Sequence, residues 1–200
     1  MDSKLHWISR LAEGTLALEY QCGGVTRVEC GHTTGWRTLP GTLTAFTTGY
    51  ESLLLRPGRP DLEIGSGEVL CVPQGQHHRI DLARRSGGFS RWSHIAFRLL
   101  GGIDVFSLFE PPTVITGQPA RRIGKINEEL AGLHAPGEAT LQRVARRQSL
   151  AMELLAILAE RSTMRGDHLP AGEAVQRLGG VLELISGDLA HPPDINRMAR

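Results

Sequence analysis

The first hundred residues alternate apolar and polar positions in short bursts. Thr15-Leu-Ala-Leu-Glu-Tyr20 has the two-residue period of a half-buried strand, and Cys22-Gly23-Gly24 reads as the turn that closes it. Residues 41–48, rich in Thr, form a second strand that Gly49 breaks. Further strand patterns run over 50–55, 61–64, 68–72, 76–82 and 92–99. Between them stand Arg56-Pro57-Gly58, Gly65-Ser66-Gly67 and Pro73-Gln74-Gly75. Short strands with Gly/Pro turns at this spacing predict an antiparallel sandwich or barrel.

The period then changes to that of helices. Pro119 sits where a helix start tolerates it, because a first-turn residue needs no amide donor. Ile123, Ile126, Leu130 and Leu133 follow on one stripe, and Ala135-Pro136-Gly137 ends that helix. A longer helix over 138–161 carries Leu141, Val144, Gln148, Ala151, Leu155 and Leu158 on one stripe. Leu150, Met152, Leu154 and Ile157 form a second. A helix apolar on two faces is buried on two sides. The second stripe is therefore the expected dimerisation surface, a symmetric pair being the commonest oligomer. Arg165 to Gly172 is polar and punctuated. Another helix follows, then His191-Pro192-Pro193, then Asp194 as the cap of a helix that starts six residues before the end.

Composition narrows the function classes. The chain has 200 residues, enough to bury a core without disulfides. Lys and Arg total 22 against 21 Asp and Glu, and residues 1–110 balance at 11 and 11. No half is basic enough for a dedicated nucleic-acid surface. The hydrophobic fraction of 40% excludes a disordered chain. No apolar run spans a bilayer and the N-terminus has no secretory pattern, so no membrane partner is expected and the expected location is cytoplasmic. Cys22, Cys30 and Cys71 are unclustered and read as reduced thiols.

The sharpest local pattern is Gly67-Glu-Val-Leu-Cys-Val-Pro73-Gln-Gly75-Gln-His-His78. It matches the second cupin motif: Gly, five residues, Pro, any residue, Gly, two residues, His. The Pro-x-Gly turn sets the register of the next strand and aims His78 to the same face as Ile80 and Leu82, into the barrel. In metal-binding cupins that His is one of several converging ligands. The first cupin motif is missing here, since residues 43–50 hold neither His nor acid. Leu82 stands where the second motif closes with Asn. No metal and no cofactor are therefore expected. A three-histidine site, if one existed, would draw on His78, His94 and His32. The alternative to a metal is a small-molecule pocket at the barrel mouth. Its expected lining is Trp36, Arg37, Phe46, Tyr50, His78, Trp92 and His94, with Trp7 a further aromatic candidate. No catalytic residues are assigned.

Three segments carry a resemblance to a known family: Gly67 to His78, Arg91-Trp92-Ser93-His94-Ile95-Ala96-Phe97, and Arg177 through Ala199 with its Pro192-Pro193 turn. Together they resemble AraC/XylS-type bacterial transcriptional regulators. The resemblance implies an α+β chain in which an N-terminal antiparallel β-barrel or jelly roll, cupin-like, precedes an α-helical segment. The implied organisation is a sensing barrel over 1–112, a dimerising helical hairpin over 113–165 and a linker over 166–173. The start of a helix-turn-helix domain, cut before its recognition helix, occupies 174–200. The implied role is to bind a small-molecule effector in the barrel and to place paired DNA-binding domains. DNA itself would be contacted only through the missing part. The rival reading is a metal-dependent cupin enzyme, an isomerase or dioxygenase.

Overall fold

The computed structural model describes residues 12–82, 87–134 and 140–165. The linker and helix-turn-helix start expected over 166–200, and Trp7, lie outside the described residues.

Two antiparallel sheets face each other. The larger runs in the order β1 (Ala17–Val28), β7 (Gly88–Leu99), β2 (Thr42–Thr48), β5 (Val69–Val72), β10 (Val114–Ile115), with β8 (Ile103–Asp104) paired to β7. The smaller is β4 (Leu62–Ile64), β3 (Ser52–Leu55), β6 (Arg79–Asp81). Residues 33–37 extend it through bridges Thr33↔Asp81 and Arg37↔His78. Counting that segment as a strand, every connection from β1 to β7 crosses between the sheets except the β3–β4 hairpin. That is the connectivity of a jelly roll, and the chain is α+β with antiparallel sheets as the pattern predicted.

Helices cover the outer face of the large sheet. After a single turn α1 (Val105–Leu108), α2 (Gly117–His134) lies across β1, β2 and β7, and α3 (Leu141–Glu160) packs on α2 and β1. Thr140 caps α3 by accepting from the Arg143 amide at 3.2 Å. Arg122 of α2 clamps Glu153 of α3 through two bonds of 2.5 and 2.6 Å. Past α3, β11 (Thr163–Met164) pairs with β9 (Phe109–Glu110) and returns the chain to the barrel.

The sheet separates two interiors. On the helix side Ile95, Phe97 and Leu99 of β7 meet Ile123, Ile126 and Leu130 of α2 and Leu150, Leu154 and Leu158 of α3. Between the sheets Leu43, Leu54, Ile64, Leu70, Val72 and Ile80 form a smaller cluster. Strand alternation sends neighbouring residues of β2 and β7 to opposite interiors.

Two expectations are corrected here. Cys22-Gly23-Gly24 is not a turn: β1 runs straight through it for 12 residues. A bulge between Tyr20 and Cys22 inserts Gln21 without a cross-strand partner. The extra residue flips the faces. Leu18 and Tyr20 pack on the helix-side core, whereas Thr26 and Val28 look between the sheets. The glycines serve close approach rather than chain reversal. A Cβ on Gly23 would come within 2.7 Å of the Trp92 carbonyl, and one on Gly24 would touch the Trp92 ring at 3.4 Å.

The second correction concerns pairing. Leu150 and Leu154 are 0% and 1% exposed within this one chain, consumed by its own core. Ile157 packs against the same cluster, and of the four residues expected at a dimer surface Met152 alone is exposed, at 46%. The i, i+4 step from 150 to 154 faces α2, and only the opposite side of α3 is left to solvent.

Candidate functional site

A cavity of about 350 Å³ opens between the two sheets. Its floor is the inner face of the large sheet: Leu43 and Ala45 from β2, Ser90, Trp92 and His94 from β7, and Thr26 and Val28 from β1. These are cross-strand neighbours, with Leu43 opposite His94 and Ala45 opposite Trp92. Ile80 and Leu82 form the opposing wall. Arg37, Thr34, His32 and Glu29 come from the loop and added strand after β1. The volume falls at the small end of the roughly 300–1,000 Å³ typical of ligand pockets.

At the inner end four polar side chains gather. Arg37 and His78 exchange both backbone hydrogen bonds at 2.9 Å, which fixes the Arg37 side chain on the inward face. His78 is fully buried. Its Nδ1 bonds the Gln76 carbonyl at 2.8 Å, so this nitrogen carries the proton. Its Nε2 is then an acceptor, buried without a partner, and the Nε of Arg37 is likewise buried without one. His94 lies 3.4 Å from the Cys22 sulfur through Nδ1, and its ring sits 5.1 Å from that of Trp92.

Burial dominates the electrostatics of this group. It pushes the His94 imidazole down to about 4, with the Arg37 guanidinium and His78 adding to the shift. His78 is lowered for the same reason, its bond to Gln76 pulling partly back. Burial also lowers Arg37 and raises the Cys22 thiol, which the nearby guanidinium partly offsets. The result at neutral pH is one guanidinium, with its Nε unpartnered, among two neutral imidazoles and a protonated thiol. Such an arrangement attracts an anion or a strong hydrogen-bond acceptor and offers His78 Nε2 to a donor.

Of the residues expected in the pocket, Arg37, Trp92 and His94 line it. His78 is buried beside Arg37 and His94. Tyr50 is buried behind the wall, packed with Val28 and Leu82. Phe46 points the other way. It lies one residue from Ala45 on β2 and so faces the helices, where Gly124 leaves room for its ring; a Cβ there would approach the ring to 2.6 Å. Trp36, at 49% exposure, stacks on His77 outside the small sheet, at 5.3 Å and 15°. Thr26, Val28, Thr34, Leu43, Ala45 and Ser90 were not anticipated. Period-two counting from Trp92 through the β2 pairing would have found Leu43, Ala45 and Ser90. The bulge in β1 hid Thr26 and Val28.

His32 lies at the rim and is exposed. Among the described residues no group of three or more His, Cys, Asp or Glu side chains gathers closely enough to hold a metal ion. The three cysteines are free thiols. No described helix is long and apolar enough to cross a membrane.

No family profile matches the chain, and no curated protein sequence is similar to it. Solved structures show distant likeness. The AraC-like transcriptional activator CuxR shares 13% identity over 93% of this chain and 76% of its own, with a TM-score of 0.46. ToxT from Vibrio cholerae shares 11% over 93% of this chain and 68% of its own, with a TM-score of 0.41. A cupin-like protein from Thermotoga maritima shares 17% over 46% of this chain and 80% of its own, with a TM-score of 0.32.

Proposed function

We propose that this chain is the effector-sensing portion of an AraC-type transcriptional regulator. The inter-sheet cavity takes a small amphiphilic molecule whose acidic or strongly accepting group meets Arg37. The observation that carries the reading is the cavity itself: an open space between sheets, beside which Arg37 Nε and His78 Nε2 are buried without partners. The motifs around His78 and Trp92-x-His94 support it, as do the two helices laid over the back of the same sheet. Trp92 and the aliphatic wall favour a ring or short chain, and Arg37 favours a carboxylate. In this reading copies of the chain pair through the outer side of α3 around Met152. Occupation of the cavity then shifts how the helices and the chain beyond them are held, by the difference in affinity between the two arrangements.

The test uses benzoate and salicylate as first probes, with the matching amides as controls, followed by Trp fluorescence and calorimetry. Binding of the acids, lost in both Arg37→Gln and Ala45→Leu, is the expected result. Equal binding of acids and amides, or binding untouched by Ala45→Leu, overturns it.

A further inference from the structure

A second cavity, of about 340 Å³, lies outside the barrel where the helical segment returns to it. Its walls come from four places: Arg56 and Arg59 after β3, the Pro73–Gln76 turn, the stretch Asp104 to Thr113, and Arg165 after β11. It shares no lining residue with the inter-sheet cavity.

Its polar atoms are unusually unsatisfied. Arg56 Nε, Gln74 Oε1, Asp104 Oδ1 and Arg165 Nε are all buried without a hydrogen-bond partner. They are four of the nine such side-chain atoms among the described residues, and all four line this one space. A buried polar group left unpaired loses its water contacts with nothing in return. Four in one place mark a surface shaped for something that supplies their partners. Two are donors on guanidiniums and two are acceptors, one on a carboxylate and one on an amide.

The charge sorts the candidates. Three guanidiniums face two carboxylates, Asp104 and Glu110. Arg56 Nη1 reaches Thr113 Oγ1 at 3.3 Å, leaving its Nε side open. Its guanidinium is under-compensated, since burial and Arg59 both act against its charge and Glu110 only partly restores it. One monovalent carboxylate would serve one arginine. A phosphate monoester carries more charge and three acceptor oxygens, which matches several guanidiniums at once. The unpaired Asp104 and Gln74 oxygens then require hydroxyl donors near that phosphate. The Ser107 and Thr113 hydroxyls fill out a polar lining.

From this geometry we propose that the cavity is a second ligand site, for a phosphorylated polyol of the sugar-phosphate class. Arg56 and Arg165 hold the phosphate, and Asp104 and Gln74 read the hydroxyls. The position gives the site consequence. The Arg165 amide donates to the Leu108 carbonyl at 2.9 Å, directly after the β11–β9 pairing that returns the chain to the barrel. A phosphate bridging Arg56 and Arg165 fastens that return segment to the barrel. The Pro73–Gln76 turn also touches the polar group beside the sensing cavity, because the Gln76 carbonyl accepts from His78 at 2.8 Å.

The test is calorimetric titration of the full chain with ribose 5-phosphate, ribose and inorganic phosphate. Ribose 5-phosphate should bind at least about tenfold tighter than either fragment. The pair Arg56→Gln with Arg165→Gln should weaken it by about tenfold or more. Asp104→Ala should erase the preference over inorganic phosphate. Circular dichroism and the unchanged binding of benzoate in the inter-sheet cavity certify that each variant is folded. Equal affinity for ribose 5-phosphate and inorganic phosphate overturns the proposal. So does wild-type affinity in the double-arginine variant, or absence of binding at ~10 mM. Ala45→Leu should leave this binding unchanged, so failure here and failure of the sensing reading are separate results.

Discussion

The two faces of the large sheet are built from the same strands and have opposite character. Toward the helices, Thr44, Ser93 and Asn127 are buried polar residues, and they satisfy one another. Asn127 Oδ1 accepts from Ser93 at 2.7 Å and from Thr44 at 3.3 Å, while its Nδ2 donates to the Thr44 and Arg91 carbonyls at 3.2 and 3.1 Å. Toward the small sheet, Arg37 Nε and His78 Nε2 are buried without bonded partners beside an open space. The first face is closed by this central polar set, with the Tyr20 hydroxyl at its edge buried without a partner, and the second surrounds an open space. Stability belongs to the first, and binding is the reason to tolerate the second. The comparison can be broken by substitutions that treat the faces as equivalent.

The largest effect should come from the closed face. Phe97 is fully buried, edge-on to Phe106 at 5.6 Å and 83°. Phe97→Ala should cost about 3–5 kcal/mol, the usual range for a large core ring. Denaturant unfolding with an unchanged m-value checks it; a loss under ~1 kcal/mol would mean that the helices do not seal this face. Next is Asn127→Ala, which strips partners from Ser93, Thr44 and two carbonyls. A loss of about 1–3 kcal/mol is expected.

Much of this is legible in the residue pattern alone. Strand bounds at 42–48, 52–55, 62–64 and 69–72 and both long helices fall within a few residues of their predicted places. The alternation and Gly/Pro punctuation are local signals, and these elements obey them. The site was legible where it followed a single strand: Trp92 and His94 share a face by parity. It was illegible where geometry depends on another strand. The β1 bulge changes which residues look inward, and the strand beyond it runs close to Trp92 at Gly23 and Gly24, a contact 69 and 68 positions away in sequence. The role of Asn127 is hidden in the sequence for the same reason. A polar residue on a helix belongs to solvent until a sheet is placed over it. Leu150 and Leu154 were read as spare because one helix alone does not show how much core it must fill.

Smaller effects belong to the open face. The folded protein holds the His94 imidazole down at about 4, against 6.5 in the unfolded chain. Between those values the unfolded chain binds a proton that the folded chain refuses, so stability rises with pH across that window. The contribution is complete above about 6.5 and lost as pH falls toward about 4. Asp104, raised by burial to about 6, works in the opposite direction over part of this range. The His94 share is therefore read as a difference: wild type should lose more melting temperature toward acid than His94→Gln. An identical slope in that variant would place the titration elsewhere.

The sharpest contrast uses two adjacent residues. Thr44 is 1% exposed and hydrogen-bonded on the helix side, whereas Ala45 borders the cavity. Thr44→Leu enlarges a side chain with no room to take it and removes a hydroxyl from the Ser93–Asn127 set. Overpacking of this kind costs about 1–3 kcal/mol. Ala45→Leu adds more volume than Thr44→Leu, since it starts from the smaller residue, but adds it into about 350 Å³ of open space. New contacts with Leu43 and Ile80 then offset lost side-chain entropy, and the net change should lie within about 0.5 kcal/mol. If parity alone governed tolerance, both would be buried strand positions and both would fail. The difference between them measures how much of the inter-sheet space exists in solution. Equal destabilisation by the two would mean that the sheets close over Ala45, and the binding face would then be a second core.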